Sequence, residues 1–476
     1  MWLAFLHPLP IHRTPSSAPL LLRRSALPTH YRAPPLYRRP LRTCITSAMS
    51  TYKYVVVGAG NAAGYAAAQF VNSGESDVCL IGEEPVAPYE RPALSKAVLM
   101  KAAVRLPGFH TCVGGGGDRQ APEWYAEKGV KLMLGSKVSA VDVAEKIATL
   151  EDGSTVQASE AMILATGAAP IQLSKTPGHD LKGVHYLRDN SDALELYDAL
   201  QANIGKTVIV VGGGYIGMEV AAAALTVGCK VTMVFPEEHI MPRLFTADIA
   251  KHYEKAYIDK GATLVKNGRL CKAFLGDDEG KIRGVMTCQG GGNEEEIEGS
   301  LVVVGVGARV NTDMFKDKLN MDERGGIIVD GNLETSAKGV HAIGDIATFP
   351  LKMYNDRPAR MEHVQNARET GRHAVDAILK KAAGPYDYLP YFYSRVFDLS
   401  WKFYGDSAGD CYVVGDFAPK LLAVWVTDGN VNGIFMEAAS DEETEEMKKV
   451  AREGCKVDVA AFQKCSSTDE AWALLK

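Results

Sequence analysis

Two copies of one local pattern, about 150 residues apart, constrain this chain more than anything else in it. The first opens with the apolar run Tyr54-Val55-Val56-Val57 and turns through Gly58-Ala59-Gly60-Asn61-Ala62-Ala63-Gly64. It continues as an Ala-rich stretch to Phe70 and returns as Val78-Cys79-Leu80-Ile81. The second runs Thr207-Val208-Ile209-Val210-Val211, then Gly212-Gly213-Gly214-Tyr215-Ile216-Gly217, a helical stretch over 218–227, and Lys230-Val231-Thr232-Met233-Val234-Phe235. A short, continuous, β-branched run bounded by glycine reads as a strand buried in a parallel sheet. Each copy is therefore a βαβ unit. In such a turn the first Gly permits the tight bend and the second lets the backbone approach a ligand. The following helix N-terminus then offers unpaired N–H groups to a pyrophosphate. Two dinucleotide-binding domains follow, spaced too widely for a repeat array.

Each unit has an acidic partner about 25 residues beyond its turn, where a carboxylate binds ribose hydroxyls. After the first these are Glu83 and Glu84, and spacing permits either, with Glu84 taken as the binder. After the second it is Glu237, which favours NADH by repelling the 2′-phosphate of NADPH, although Arg243 stands close by. Further buried-strand runs end in Ala165-Thr166-Gly167, Gly305-Val306-Gly307 and Gly344-Asp345. The stretch Gly290-Gly291-Gly292 with Glu294-Glu295-Glu296 reads as a solvated hairpin turn. From about residue 386 the chain becomes aromatic-rich, which marks a third, smaller domain.

The remaining composition serves to exclude. With 476 residues, a formal charge of −6 and no basic stripe in the body, nucleic acid is not an expected partner. No apolar run reaches the length of a membrane span. Residues 1–48 contain no Asp or Glu but hold Arg13, Arg23, Arg24, Arg32, Arg38, Arg39 and Arg42, together with many Pro and Ser. An acid-free, Arg-rich leader reads as an organellar transit peptide over 1–49, for chloroplast or mitochondrion, with Met49 a second start for a cytosolic form. The nine cysteines form no close pair, so neither a disulfide framework nor a metal site is expected.

The two glycine turns, Ala165-Thr166-Gly167 and Gly344-Asp345 together resemble the flavoprotein reductases built on two dinucleotide folds. That resemblance implies FAD in the first fold, with Asp345 on its ribityl chain, and a nicotinamide dinucleotide at the second. Relatives that reduce disulfides carry a redox Cys pair, whereas here the stretch Ala87-Pro88-Tyr89-Glu90-Arg91-Pro92-Ala93-Leu94-Ser95-Lys96 has no cysteine. Electrons should then pass from flavin directly to an acceptor. This segment is similar to the ferredoxin- and putidaredoxin-reductase branch, which puts Arg91 and Lys96 near FAD.

Three longer runs narrow the likeness: residues 106–117 (LPGFHTCVGGGG), Phe349-Pro350-Leu351-Lys352-Met353-Tyr354, and Tyr386-Asp387-Tyr388-Leu389-Pro390-Tyr391-Phe392-Tyr393-Ser394-Arg395. They resemble the monodehydroascorbate reductase family over about 52–440. The resemblance implies FAD contacts at Gly58, Ala59, Gly60, Asn61, Ala62, Glu84, Arg91, Lys96, Val138, Asp345, Val364 and Tyr393. It implies nicotinamide-dinucleotide contacts at Gly212, Gly213, Gly214, Tyr215, Ile216, Gly217, Glu237, Arg243, Gly307, Glu362 and His363. Arg368 and Tyr393, with Gly115 close by, would hold a small-molecule substrate, the monodehydroascorbate radical. A guanidinium suits that anion and a phenol can hydrogen-bond it. Two departures stand out: Gln365-Asn366-Ala367 replaces the family's frequent Asp-His-Ala, and Gln172 stands where an FAD-contacting Arg is common.

The expected fold class is α/β: two Rossmann-like dinucleotide-binding domains plus a C-terminal α+β interface domain. The expected bounds are 52–168 with 300–385 for FAD, 172–299 for NAD, and 386–476 for the interface domain. The expected reaction is hydride transfer from NADH, with NADPH a weaker donor, to FAD and then one electron to each of two radicals. It needs no catalytic side chain and no metal, and suits a monomer or weak homo-oligomer. One rival is an NADH-dependent reductase of a ferredoxin-like iron–sulfur protein. The other is a flavoprotein that binds NADH as a sensor.

Overall fold

The computed structural model describes residues 49–100, 119–416 and 420–475. The leader and Gly115 lie outside the described residues.

The first glycine turn sits between β1 (Met49–Val57) and a helix, α1 (Asn61–Asn72), that leads to β2 (Val78–Ile81). Every residue of β2 is buried, as are Tyr54 to Val57 of β1. Burying each such Val, Ile or Leu contributes about 1.5–3 kcal/mol, which is why the run is continuously apolar rather than alternating. β1 pairs in parallel with β2 on one side and with the long strand β6 (Thr155–Leu164) on the other. β3 (Lys131–Met133) extends the parallel edge, while β4 (Val138–Asp142) and β5 (Ile147–Leu150) turn back as an antiparallel flap on β6. The short strand Val340–Ala342, more than 170 residues after β6, returns to pair with its upper half. This brings Asp345 above the first glycine turn from a distant part of the chain.

The second sheet is wholly parallel. Its centre is β8 (Thr207–Val211), preceded in the chain by β7 (Val184–His185) and followed by a helix, α2 (Tyr215–Val227), and β9 (Lys230–Val234). With β10 (Ala262–Val265) and β11 (Leu301–Val304) the spatial order is β10-β9-β8-β11-β7. β11 corrects the expected boundary at 299/300. Leu301–Val304 pairs with β8 and belongs to the second sheet, so the chain returns to the first unit only after residue 304. The physical reason is that a Leu-Val-Val-Val run fits the interior of either parallel sheet equally well, and only pairing decides. The antiparallel ladder between Ala168–Pro170 and Ala308–Val310 marks both crossings between the units.

The acidic run expected in a turn is instead the edge strand Gly292–Glu298 of a small antiparallel sheet. Gly290 (φ +59°), Gly291 (φ +78°) and Asn293 (φ +49°) bend the hairpin through the left-handed region. Glu294, Glu295 and Glu296 pair with Lys272, Arg269 and Arg283, and so satisfy the edge with charge rather than with apolar contacts.

The C-terminal unit is a five-stranded antiparallel sheet. It comprises β12 (Tyr391–Val396), β13 (Leu399–Gly405), β14 (Asp410–Asp416), β15 (Lys420–Thr427) and β16 (Asn430–Glu437), in the spatial order β12-β13-β16-β15-β14. Trp401 and Phe435 from this sheet pack with Phe245 and Tyr253 of the second unit, all four buried. The helix α3 (Val364–Ile378) packs against α1, and Val364 in its first turn lines the cleft onto which both glycine turns open. Among the described residues no helix is long and apolar enough to cross a membrane.

Candidate active site

Both glycine turns open on one cleft of about 1980 Å³. That is roughly twice the upper end of a small-ligand pocket of about 300–1,000 Å³, and it suits two large ligands. A Cβ on Gly58 (φ +123°) would lie 2.2 Å from the Ala165 carbonyl oxygen, and one on Gly212 (φ +120°) 2.2 Å from that of Gly305. Neither turn could exist with a side chain there. Gly60 and Gly214 are the N-caps of α1 and α2, and no side chain caps either helix. A Cβ on Gly214 would meet nothing within 4 Å, and one on Gly60 only the Arg91 guanidinium at 3.8 Å. Each helix therefore presents uncapped amides to open space, the cradle that a pyrophosphate fills. FAD in the first cradle and a nicotinamide dinucleotide in the second both fit.

The cleft gathers nearly all of the expected residues. Gly58, Ala59, Gly60, Asn61, Ala62, Glu84, Arg91, Lys96, Val138, Asp345, Val364 and Tyr393 line it, as do Gly212, Gly213, Gly214, Tyr215, Ile216, Glu237, Arg243, Gly307, Glu362 and His363. Gly217 is a correction. It does not line the cleft but sits beneath the turn, where a Cβ would come within 2.1 Å of the Gly212 carbonyl oxygen. Its lack of a side chain permits close packing of helix on strand. Glu84 and Glu83 also separate: Glu84 accepts from the Tyr89 hydroxyl at 2.7 Å and pairs with Arg91, while Glu83 is exposed beside Lys137.

Two residues of the cleft were missed by sequence reasoning. Arg188 donates to Asp345 at 3.2 Å, and Arg91 in turn donates to the Arg188 carbonyl at 2.8 Å. A guanidinium thus stands near Gly167 although Gln172 is not an Arg. Glu219, 6% exposed on α2, pairs with Lys96 at 2.6 Å and accepts from Ser394 at 2.7 Å and from Ser95. An acidic residue inside an otherwise Ala-rich buried helix was the signal that could have revealed it. Arg188 carried no such signal.

His363 is the N-cap of α3, where its ring accepts from the Gln365 amide at 3.3 Å. Burial, reinforced by Arg368 and Lys96, pushes its pKa down to about 3, so the imidazole is neutral at physiological pH. Around it pack Tyr391, Phe392 and Tyr393, with ring centroids 5.2, 5.3 and 5.6 Å away. Tyr393 faces both this cleft and a second cavity of about 790 Å³. Arg368 lines that second cavity and not the main cleft. Glu90 holds it at 2.9 Å; this carboxylate is 4% exposed and also accepts from Asn61 and Tyr65 at 2.7 Å each. Burial raises the pKa of the Tyr393 hydroxyl further above its ordinary value, at which a phenol is already protonated at neutral pH. The second cavity thus offers an anchored cation beside a neutral phenol, next to the place where the two dinucleotide cradles meet.

Fold and site define an FAD-dependent oxidoreductase that takes its electrons from NAD(P)H. Residues 52–371 match the family described as Pyridine nucleotide-disulphide oxidoreductase, and residues 389–467 match the Monodehydroascorbate reductase 3-like, C-terminal domain. The chain belongs to the monodehydroascorbate reductase family. It is 41% identical over 471 residues to "Monodehydroascorbate reductase, chloroplastic/mitochondrial" of Arabidopsis thaliana, covering 96% of this chain and 93% of that one. With the seedling isozyme of Cucumis sativus it shares 46% over 416 residues, covering 84% and 94%. Among solved structures, a ferredoxin reductase from Rhodopseudomonas palustris superposes with a TM-score of 0.76, covering 89% of this chain and all of that one, at 26% identity. The likeness to a ferredoxin reductase is thus chiefly one of fold, and the sequence likeness to the monodehydroascorbate reductases is stronger.

Proposed function

We propose that this protein is a monodehydroascorbate reductase that prefers NADH, returns the ascorbyl radical to ascorbate and works in the chloroplast. The observation that carries the reading is the meeting of Arg368, from α3, with Tyr393, from β12, at a cation-lined cavity beside the main cleft. Arg368 would hold the anionic radical through charge-assisted hydrogen bonds, and Tyr393 would orient it. Arg91, with Arg188 and Asp345 around it, would position FAD, and Glu237 would bind the adenosine ribose of NADH. His363, neutral throughout the physiological range, would pack beside the nicotinamide without setting a second positive charge against it. Bound FAD supplies the conversion of a two-electron donor into one-electron deliveries. Positioning and electrostatics account for the rest, with no nucleophilic side chain.

The localisation rests on the Arg-rich, acid-free leader and on the relatives named chloroplastic or chloroplastic/mitochondrial, while others are peroxisomal. The deciding assay is NADH oxidation by purified protein while ascorbate oxidase generates the radical continuously. Rapid oxidation that stops when the oxidase is omitted supports the reading. A rate unchanged by the radical, with rapid turnover on a small iron–sulfur protein, would transfer it to the rival reductase class.

A further inference from the structure

The second cavity has two unlike walls. One is helical and carries Arg368 and Glu369 of α3. The other is the face of the C-terminal sheet. Along β12 the residues Ser394 and Val396 are buried, so Tyr391, Tyr393 and Arg395 point the other way, into the cavity. On the neighbouring strand Lys402 stands directly across from Tyr393, and Ser400 across from Arg395.

The cations around this space are not equivalent. Arg368 is matched by Glu90, Lys96 by Glu219, Lys448 by Glu445 and Arg452 by Asp387. Among the described residues Lys402 and Arg395 have no carboxylate partner. Lys402 donates to the Thr444 hydroxyl at 2.6 Å, which fixes its ammonium without neutralising it. The helical wall holds one unpaired carboxyl, Glu369, which accepts from Gln365 at 2.7 Å. The uncompensated positive charge therefore lies on the sheet wall, around the Tyr393 ring and outward from it.

We propose that Lys402 and Arg395 form an outer anion subsite, which collects the negatively charged acceptor and passes it inward to Tyr393 and Arg368. This inference rests on the proposed function and adds two specificity-determining residues to which neither the glycine motifs nor the family likeness gave a role. A cavity wall with an excess of one sign of charge and low-dielectric surroundings raises the local concentration of the opposite ion and speeds its arrival, by about 10-fold or more. The subsite selects by charge: a small organic anion is favoured over a neutral acceptor of the same size.

The test is the ratio of kcat/KM for ascorbyl radical to kcat/KM for a neutral benzoquinone, measured across ionic strength. In Lys402→Gln/Arg395→Gln that ratio should fall about tenfold at 10 mM salt and by no more than about twofold at 0.5 M, where screening acts within a few ångströms. The loss should appear in KM rather than in kcat, and Lys402→Arg alone should keep the parent's ratio, because the charge remains. A double variant with the parent's ratio and salt slope would overturn the subsite. A misfolded double variant is recognised by lost flavin absorbance, and the single Lys402→Gln, expected to show about a threefold drop at low salt, then decides. Failure of the proposed function looks different. The parent would ignore ascorbyl radical, while the variants still shifted the ratio for ferricyanide, another anion, against benzoquinone.

Discussion

Arg368 and Glu90 illustrate how a site residue can serve the fold and the substrate with the same group. Truncating Arg368 alone would strand a buried carboxylate, a change that costs about 3–5 kcal/mol whatever the substrate does. The informative variant is therefore Arg368→Ala in a Glu90→Gln background. Its kcat/KM for the ascorbyl radical should fall by about 2–3 kcal/mol of lost charge-assisted binding, a factor of about 30–150. Stopped-flow reduction of the flavin by NADH should keep the rate of Glu90→Gln, and collapse of both half-reactions together would make Arg368 structural only. At the other end of the cleft, Glu237→Ala should narrow the preference for NADH over NADPH about tenfold or more, read as the ratio of kcat/KM values. Equal use of both cofactors by the parent would contradict the role given to Glu237. His363 makes a prediction about pH. Its pKa is about 3 when folded and near 6.5 when unfolded, so between these values the unfolded chain binds the extra proton. The neutral ring's contribution is thus complete above pH 6.5 and lost as pH falls toward 3, at about 1.4 kcal/mol per pH unit. Over pH 7 to 5, His363→Gln should show a shallower fall of stability in urea titrations than the parent. An equal slope would mean that His363 is not buried in the neutral form.

Elements explain which part of the site was legible in the chain and which was not. Gly58, Gly60, Gly212 and Gly214 could be read because a βαβ turn is local: strand, bend and helix follow one another within about fifteen residues. Glu237 could be singled out because it lies just past the end of a buried strand, whereas Asp345 drew its expected role only from the family resemblance. Arg188 and Glu219 were not, since their partners arrive from 157 and 124 positions away in the sequence. The membership of Leu301–Val304 in the second sheet was hidden for a related reason. A buried parallel strand states that it is interior, not which neighbours it has. The two kinds of glycine at the second turn can be told apart by substitution. Gly214→Ala has an ordinary backbone and open space before it, so the protein should fold and bind FAD. Its methyl, standing where a pyrophosphate lies, should raise the KM for NADH about tenfold or more. Gly212→Ala, at φ +120° and against the Gly305 carbonyl, should instead lower the melting temperature or prevent soluble expression. The reverse pattern would remove the cradle from α2.

At the scale of the whole molecule, the leader and the body make separate demands, because residues 1–48 carry Arg without any Asp or Glu while the rest of the chain carries both signs. Fusing residues 1–50 to a fluorescent reporter should send it to plastids, and a diffuse cytosolic signal would refute the transit-peptide reading. In the body, one carboxylate is shared by all three units. Glu219 belongs to the second sheet's helix, Lys96 and Ser95 to the segment that follows the first glycine unit, and Ser394 to the C-terminal sheet. This bears on how such enzymes can diversify. A domain exchanged with a relative brings its own surface but not these matching groups, and a graft lacking a donor at position 394 leaves a buried charge short of one partner. Recombination within the family is therefore constrained at one point in the interior, and acceptor specificity is free to drift by substitutions on the sheet wall while the seam around Glu219 stays fixed.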